Sequence, residues 1–599
     1  MQGIFLSSFL KIIVAINCDI RYNHVRWCVV MYLKQNKVGN RVHLLIAHGY
    51  RDKETKKVRT KTIKSLGYLD ELKEQYLDPI AHFKAVVNEM NRREVEDNPP
   101  SSITFDRSER LRKGQDNRKN IGYATLSKIY HALNLHTFFN NRSYGWNTEY
   151  NTNSILRLLI FSRILMPSSK KKTYEERHVY FEKMSFSLLD VYRCLSKISA
   201  LKREITLHLH KQMVELYGRS DDLVYYDVTN YYFEIDEQDD MRRKGVSKEH
   251  RPDPIIQMGL LTDSSGIPIT YGLFPGNTND CETYVPLFKE IRKDFNLGRT
   301  IVVADKGMNT GNNIAYCLLS GNGYVFSQTV RGGSKELKDY VLDPQGYREI
   351  GDGFKIKSHQ YPRTIYVANR EGKKKKVRLD EKQVVFYSPD YDKRAKADRA
   401  IAAAKAQELV RDPTKYKKAT SYGAAKYVKN LVFDEDTGEI LVSKQKPIFD
   451  AEKLMEEEKY DGYYAIVTSE WKEDDEKILD IYRGLWQIEE AFKVCKSDLE
   501  ARPVYLSRQE RIDAHFLICF IALVIARLLV RSLGDQFSVA RIAESLRKAS
   551  GTFLEQNWYL FDYADEVTQA VSDKMGIDLG RRYMNLGEIR QLIGDTKKG

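Results

Sequence analysis

At 599 residues the chain exceeds one hydrophobic core, which rarely grows past about 250 to 300 residues, so about two to four domains are expected. Lys and Arg total 96 against 82 Asp and Glu, a formal charge of +14, which favours a polyanionic partner over a membrane or a small acidic substrate. Seven cysteines without a Cys-x-x-Cys pair or neighbouring histidines point away from a disulfide framework and a zinc site, and a reduced cytoplasm is the expected compartment.

In chain order, "MQGIFLSSFLKIIVAIN" has an apolar run broken by Lys11, with no basic flank and no small-residue cleavage site. Residues 1–30 are therefore expected to be a leader or extended start, with folded protein from Met31. A small basic β unit is expected over 31–105, from the strands "VHLLIAHGY" and "VRTKTIKSLGYL" and the basic turn between them. Residues 106–220 take helical spacing in "ATLSKIYHAL", "NSILRLLIFSRIL" and "LKREITLHLHKQMVELYG". That segment suits a DNA-binding helical domain and a purely packed one equally, since no helix-turn-helix spacing chooses between them. The basic runs at 51–64, Lys170–Lys172 and Lys373–Lys376 each read alone as a solvated face; their sum favours a polyanion.

From 221 the pattern changes to short strands, "LVYYDVT", "IIQMGLLTD", "PITYGLFPG" and "TIVVADKG", bounded by turn residues as in a sheet buried on both faces. A first core part is expected over 221–324, a β-rich insertion over 325–460, and a second core part over 461–545, where "GYYAIVTSE" resumes the strand style. Residues 546–599 are expected to form a helical tail. The apolar stretch at 516–529 carries Arg527 and, at 14 residues, is too short to span a membrane, so it is read as a buried helix.

The chemistry is expected where carboxylates end apolar strands. Asp227 follows "LVYY" and Asp305 ends "TIVVAD"; an acid carried into an interior must be paired or bound to metal. Taken singly, each is more often a turn or cap residue. In "YRGLWQIEEAFKVCK" a helix would align Leu485, Ile488, Phe492, Cys495 and Leu499 as an apolar seam, with Tyr482, Trp486, Glu489, Lys493 and Lys496 as a second stripe beside it. An arbitrary helix of this kind is a solvated edge with Glu and Lys paired across it. Glu489 reaching past the seam to the strand ends would instead make an oxygen-rich site for Mg²⁺ or Mn²⁺. Two such ions about 3.5 to 4 Å apart would serve an in-line phosphoryl transfer, with Tyr482, Lys493 and Lys496 holding a phosphodiester backbone. Lys248 and Arg251, in the polar turn "GVSKEHRPD", read equally as phosphate contacts and as a solvated hairpin loop.

The ordered pieces "YYDVTNYYFE", "GVSKEHRPDPIIQMGLL", "GLFPGNTND", "VVADKGMNT" and the long run from Tyr482 together resemble bacterial insertion-sequence DDE transposases, specifically those with a β-rich insertion and a Tyr-Arg-Glu-Lys signature. The resemblance implies an RNase H-like α/β core, with Asp227, Asp305 and Glu489 as catalytic and metal-binding acids. It also implies two Mg²⁺ ions with Mn²⁺ able to substitute, cutting of the element's ends in double-stranded DNA, strand transfer by the freed 3′-OH, and a homodimer in the synapse. Tyr482 and Lys496 match the signature; its Arg position holds Leu485, and the nearby Arg483 lies about 100° round the helix from Tyr482. Two other readings stand beside this one: an inert DNA-binding relic or regulator of the element's ends, and a structure-selective nuclease on the same core.

Overall fold

The computed structural model describes residues 31–598 apart from 40, 52–57, 98–103, 105–107, 111–112, 221, 249–251, 296–297, 370, 413–422, 431, 434–439 and 442–445. The expected leader, residues 1–30, and Arg251 lie outside the described residues. The chain divides into two compact units, 1–109 and 110–599.

In the first unit β1 (Met31–Val38), β2 (Arg41–Arg51) and β3 (Val58–Tyr68) form an antiparallel sheet in that order. Sequence reading missed β1, an edge strand half exposed along its length and without clean alternation. The run Leu44–Ala47 in β2 is buried. Helix α1 (Pro79–Asp97) is pinned to β1 by Asn91, which both accepts from the Met31 N–H and donates to its carbonyl at 2.9 Å.

The second unit opens with helices α2 (Tyr123–Ala132), α3 (Thr152–Leu165), α4 (Leu188–Ile198) and α5 (Lys202–Tyr217). A nine-stranded sheet follows, built from β4 (Leu223–Tyr232), β5 (Ile255–Asp263), β6 (Pro268–Pro275), β7 (Ile301–Ala304), β8 (Gly323–Gln328), β9 (Lys355–Ala368), β10 (Lys374–Tyr387), β11 (Tyr463–Thr468) and the edge pair Arg348–Glu349. From that edge the order is β9-β10-β11-β8-β7-β4-β5-β6. β4, β7 and β8 run parallel and all other neighbours are antiparallel. Helices α6 (Asp280–Asp294) and α7 (Gly311–Leu319) make the connections between β6, β7 and β8.

The 325–460 segment therefore adds strands to the same sheet, since the β9–β10 hairpin joins it through β11. The segment also carries the helix α8 (Pro389–Arg411). Arg363 keys the hairpin inward: it is ion-paired to the fully buried Glu381 and donates to Asn309 Oδ1 at 2.9 Å, four residues beyond Asp305. Glu381 also accepts from the Tyr324 hydroxyl of β8 at 2.6 Å.

After β11 come α9 (Asp475–Arg483), α10 (Trp486–Lys493) and α11 (Gln509–Ser532). At 24 residues α11 exceeds the stretch read from sequence and is long and apolar enough to cross a membrane, which corrects the argument from shortness. Its most apolar window is nonetheless 89% buried inside the protein, packed by α2, α3, α4 and β6, so its hydrophobicity is spent on the core. The stretch 546–599 is not helical alone. Ser550–Phe553, Trp558–Phe561 and Tyr583–Asn585 join Arg118–Asn120 in a four-stranded sheet. These strands are too short to give a period in sequence, and the last partner lies more than four hundred residues away. Asn120 locks the junction, its Nδ2 donating to Leu546 O at 2.8 Å and Arg547 O at 3.0 Å.

Candidate active site

The parallel ladder between β4 and β7 pairs Tyr225 with Val303. Carried two residues further, the same register sets Asp227 level with Asp305, just past the ends of the paired segment. Asp227 shares a pleat face with Tyr225, Thr229 and Tyr231, the face covered by α9 and α10. Its neighbours Tyr226 and Val228 point oppositely into a second core cluster.

Asp305 follows the last residue of β7 and opens a short turn. Its Oδ1 accepts from Ser327 Oγ at 2.7 Å and, at the outer limit of hydrogen bonding, from the Tyr482 hydroxyl at 3.5 Å. Asn309 Nδ2 donates to Ser327 O at 3.0 Å, closing the loop onto β8.

The expected single helix over 482–496 is broken. Helix α9 ends at Gly484, α10 starts at Trp486, and Val494–Asp498 turns as a π-helix. At the break the Ile481 carbonyl accepts from the Tyr225 hydroxyl at 3.1 Å while the Leu485 N–H turns to Tyr482 O at 3.0 Å, and a Cβ at Gly484 would stand 1.9 Å from that hydroxyl oxygen. Close approach to β4 thus requires glycine there. The seam survives the break, with Leu485, Ile488, Phe492, Cys495 and Leu499 all buried.

Electrostatic coupling ties the three acids together. The Asp227 carboxyl is pushed up to about 6, first by burial and then by Asp305 and Asp280, against the pull of Lys248. The Glu489 side chain presents much of its surface to solvent, yet its carboxyl is pushed upward by partial burial and by Asp305, again opposed by Lys248. Lys248 leaves its turn and enters this cluster, donating its ammonium to Val228 O beside Asp227. Asp280, at the start of α6, is also raised by burial and opposed by Lys248. Sequence reading passed over Asp280 and Ser327; the strand end beside "GLFPGNTND" was the available signal for the first, and nothing local marks the second.

The remaining expectations separate. Lys496 sets its ammonium 5.9 Å from the centre of the Tyr231 ring, four residues along β4 from Asp227. Lys493 is exposed and pairs with Glu490 at 3.4 Å. Arg483 lies over Phe354 at 5.0 Å and against Asp480 at 3.5 Å, and Leu485 is sealed in the seam, so neither supplies the signature's arginine.

The donor chemistry fits a hard divalent cation, since Asp227, Asp305 and Glu489 offer carboxylate oxygens only. Among the described residues no three His, Cys, Asp or Glu side chains stand close enough to hold one ion as they are.

Residues 33–101 match the family described as IS1634 family transposase, N-terminal domain, and residues 235–525 match the Transposase DDE domain. The chain is an insertion-sequence DDE transposase. The second match takes in Asp305 and Glu489 and begins just beyond Asp227, so the first acid rests on the strand register. No curated protein matches the chain. Among solved structures, a cryo-EM piggyBac transposase synaptic complex with hairpin DNA is similar over 80% of this transposase and 84% of that chain, at 9% identity. Its TM-score is 0.32, too slight a likeness to carry an argument. DDE transposases act on DNA and use divalent metal ions.

Proposed function

We propose that Asp227, Asp305 and Glu489 are the catalytic acids of an RNase H-like core formed by the strand order β6-β5-β4-β7-β8, and that they cut the element's ends and join the freed 3′-OH to target DNA. The observation that supports this most is the common register of Asp227 and Asp305 on parallel neighbours, with Glu489 coupled to Asp305 from a helix laid across them. Ser327 holds Asp305 by donating to one oxygen, which leaves the other free to face a ligand. Tyr482 and Lys496, at opposite ends of the broken helix, flank the acids and are suited to grip the backbone of the bound strand. Lys248 offsets the mutual repulsion of the acids and keeps the cluster compact before substrate arrives. A pair of Mg²⁺ ions, with Mn²⁺ able to substitute, would supply the charge that activates the attacking oxygen and stabilises the leaving one. The transposase works in the cytoplasm, and as a homodimer when two ends are brought together.

The test is incubation of the protein with labelled DNA carrying the ends that flank its gene, with and without Mg²⁺. Metal-dependent nicking and joining should be abolished in Asp227→Asn and Glu489→Gln while DNA binding persists. Cleavage that survives either substitution would sink the assignment.

A further inference from the structure

A cavity of about 210 Å³ opens where the chain leaves the π-turn that carries Lys496. Arg163, Lys170, Arg502, His515 and Glu500 are among the residues that line it. Of the basic run Lys170–Lys172, the second and third residues are solvated and pair with Glu175 and Glu176 at 3.9 and 3.7 Å. Lys170 instead turns inward and is 5% exposed, as are Arg163 and His515.

His515 Nε2 lies 2.9 Å from Ala501 O, so that nitrogen carries the ring proton. Nδ1 is then the acceptor, and Lys170 donates to it at 3.3 Å. A neutral imidazole does nothing for the ammonium's charge. Among the described residues the charged or ionisable groups that act on Lys170 are the Arg163 guanidinium, which repels it, and the Cys519 thiol, and no carboxylate is among them. Arg163 spends its two outer nitrogens on the carbonyls of Leu499, Glu500 and Ser168 at 3.1 to 3.3 Å, while its buried Nε has no hydrogen-bond partner. The single acid in the lining, Glu500, is exposed and meets Arg163 through its main chain.

Two cations side by side, each about nineteen-twentieths buried and without a carboxylate, are strongly disfavoured unless an anion neutralises them. Burial accordingly holds Lys170 well below the usual lysine range. We infer that this cavity is an anion site for a phosphate group, seated against Arg163, Lys170 and Arg502, and supplied by a backbone phosphodiester of bound DNA or by a free phosphate ion. A tetrahedral oxoanion brings acceptors and a negative charge to Lys170 and Arg163, which have no carboxylate partner among the described residues. Its position at the exit of the Glu489–Lys496 segment couples occupancy to the geometry of that segment, since Arg163 grips Leu499 and Glu500. The inference stands whether or not the acids are assigned as above.

The test uses the full-length protein in two arms. In the first, thermal unfolding is followed in sodium phosphate and in sodium chloride at equal ionic strength, for wild type, Lys170→Met and Arg502→Gln. A saturable rise in Tm with phosphate, absent from Lys170→Met and weakened in Arg502→Gln, supports a site open to the free ion. In the second, binding of a labelled duplex is measured against salt. If a DNA phosphodiester fills the site, the log-log slope becomes shallower by about 0.9 in Lys170→Met, one phosphate contact's worth. Should Lys170→Met fail to fold, Arg502→Gln at the cavity mouth decides alone. Equal Tm in both salts together with an unchanged slope overturns the proposal.

Discussion

Replacing Asp227 by Asn should stabilise the metal-free protein while destroying its chemistry. The native carboxyl stands at about 6 against an ordinary 3.8, so the folded state binds the proton more tightly than the unfolded chain does. For a raised acid, the contribution to stability is complete below the unfolded value and is lost as pH climbs through the folded one. By pH 7.5 the loss reaches about 3 kcal/mol, net of the attraction from Lys248, and at pH 5 about 1.6 kcal/mol. Asn removes that loss. For the unit 110–599 the unfolding entropy is on the order of 1 kcal/mol/K, so Tm should rise by about 3 °C at pH 7.5 and by roughly half that at pH 5. Scanning calorimetry in EDTA at the two pH values measures this. Adding Mg²⁺ should raise the wild-type Tm and leave the variant behind, because a ligand of the native state stabilises only the chain that binds it. A variant less stable than wild type at pH 7.5 in EDTA, or one whose gain grows toward low pH, would refute the reasoning.

Three further outcomes are expected. Gly484→Ala drives a methyl into the Tyr225 hydroxyl and should cost about 1 to 3 kcal/mol by overpacking; adding Tyr225→Phe, which removes the oxygen at 1.9 Å, should recover part of it in thermal unfolding. Ser327→Ala frees Asp305 from its 2.7 Å hydrogen bond and should weaken metal affinity or rate about 10- to 100-fold, read from a Mg²⁺ titration of end cleavage. Arg363→Met leaves Glu381 buried without its cation and should cost about 3 to 5 kcal/mol, whereas joint replacement with Glu381→Gln should cost much less; a double-mutant cycle in denaturant measures the difference.

The two Asp strands were legible because each is a short apolar run ending on an acid, a pattern that survives without tertiary context. The seam under Glu489 was legible for a similar reason, as its five apolar residues keep helical spacing on both sides of the break. The break itself was not, since "YRGLWQ" is compatible with a continuous helix and the hydroxyl that takes up the Ile481 carbonyl there, that of Tyr225, belongs to a strand over 250 residues earlier. Lys248 was legible as a candidate phosphate contact, but its place beside the acids was not. Read as part of a polar turn, it looks solvated, and only the fold shows its stem crossing to Val228. Lys493 is the reverse case, a member of the right stripe that is exposed and pairs locally with Glu490.

The clasp between Arg118–Asn120 and Ser550–Phe553 bears on when the enzyme comes into being. A strand made early must wait for a partner more than four hundred residues later, and Asn120 finds its acceptors only after residue 547 has left the ribosome. Asp227 and Asp305 can meet on the nascent chain, but the clasp that completes their unit needs Ser550–Phe553. Such sequence-distant pairing is slow to form and follows synthesis of the acid-bearing strands. A polypeptide cut short before Ser550 would then carry every acid and lack the clasp, so an insertion in the gene ahead of that codon silences the element as surely as loss of an active-site residue.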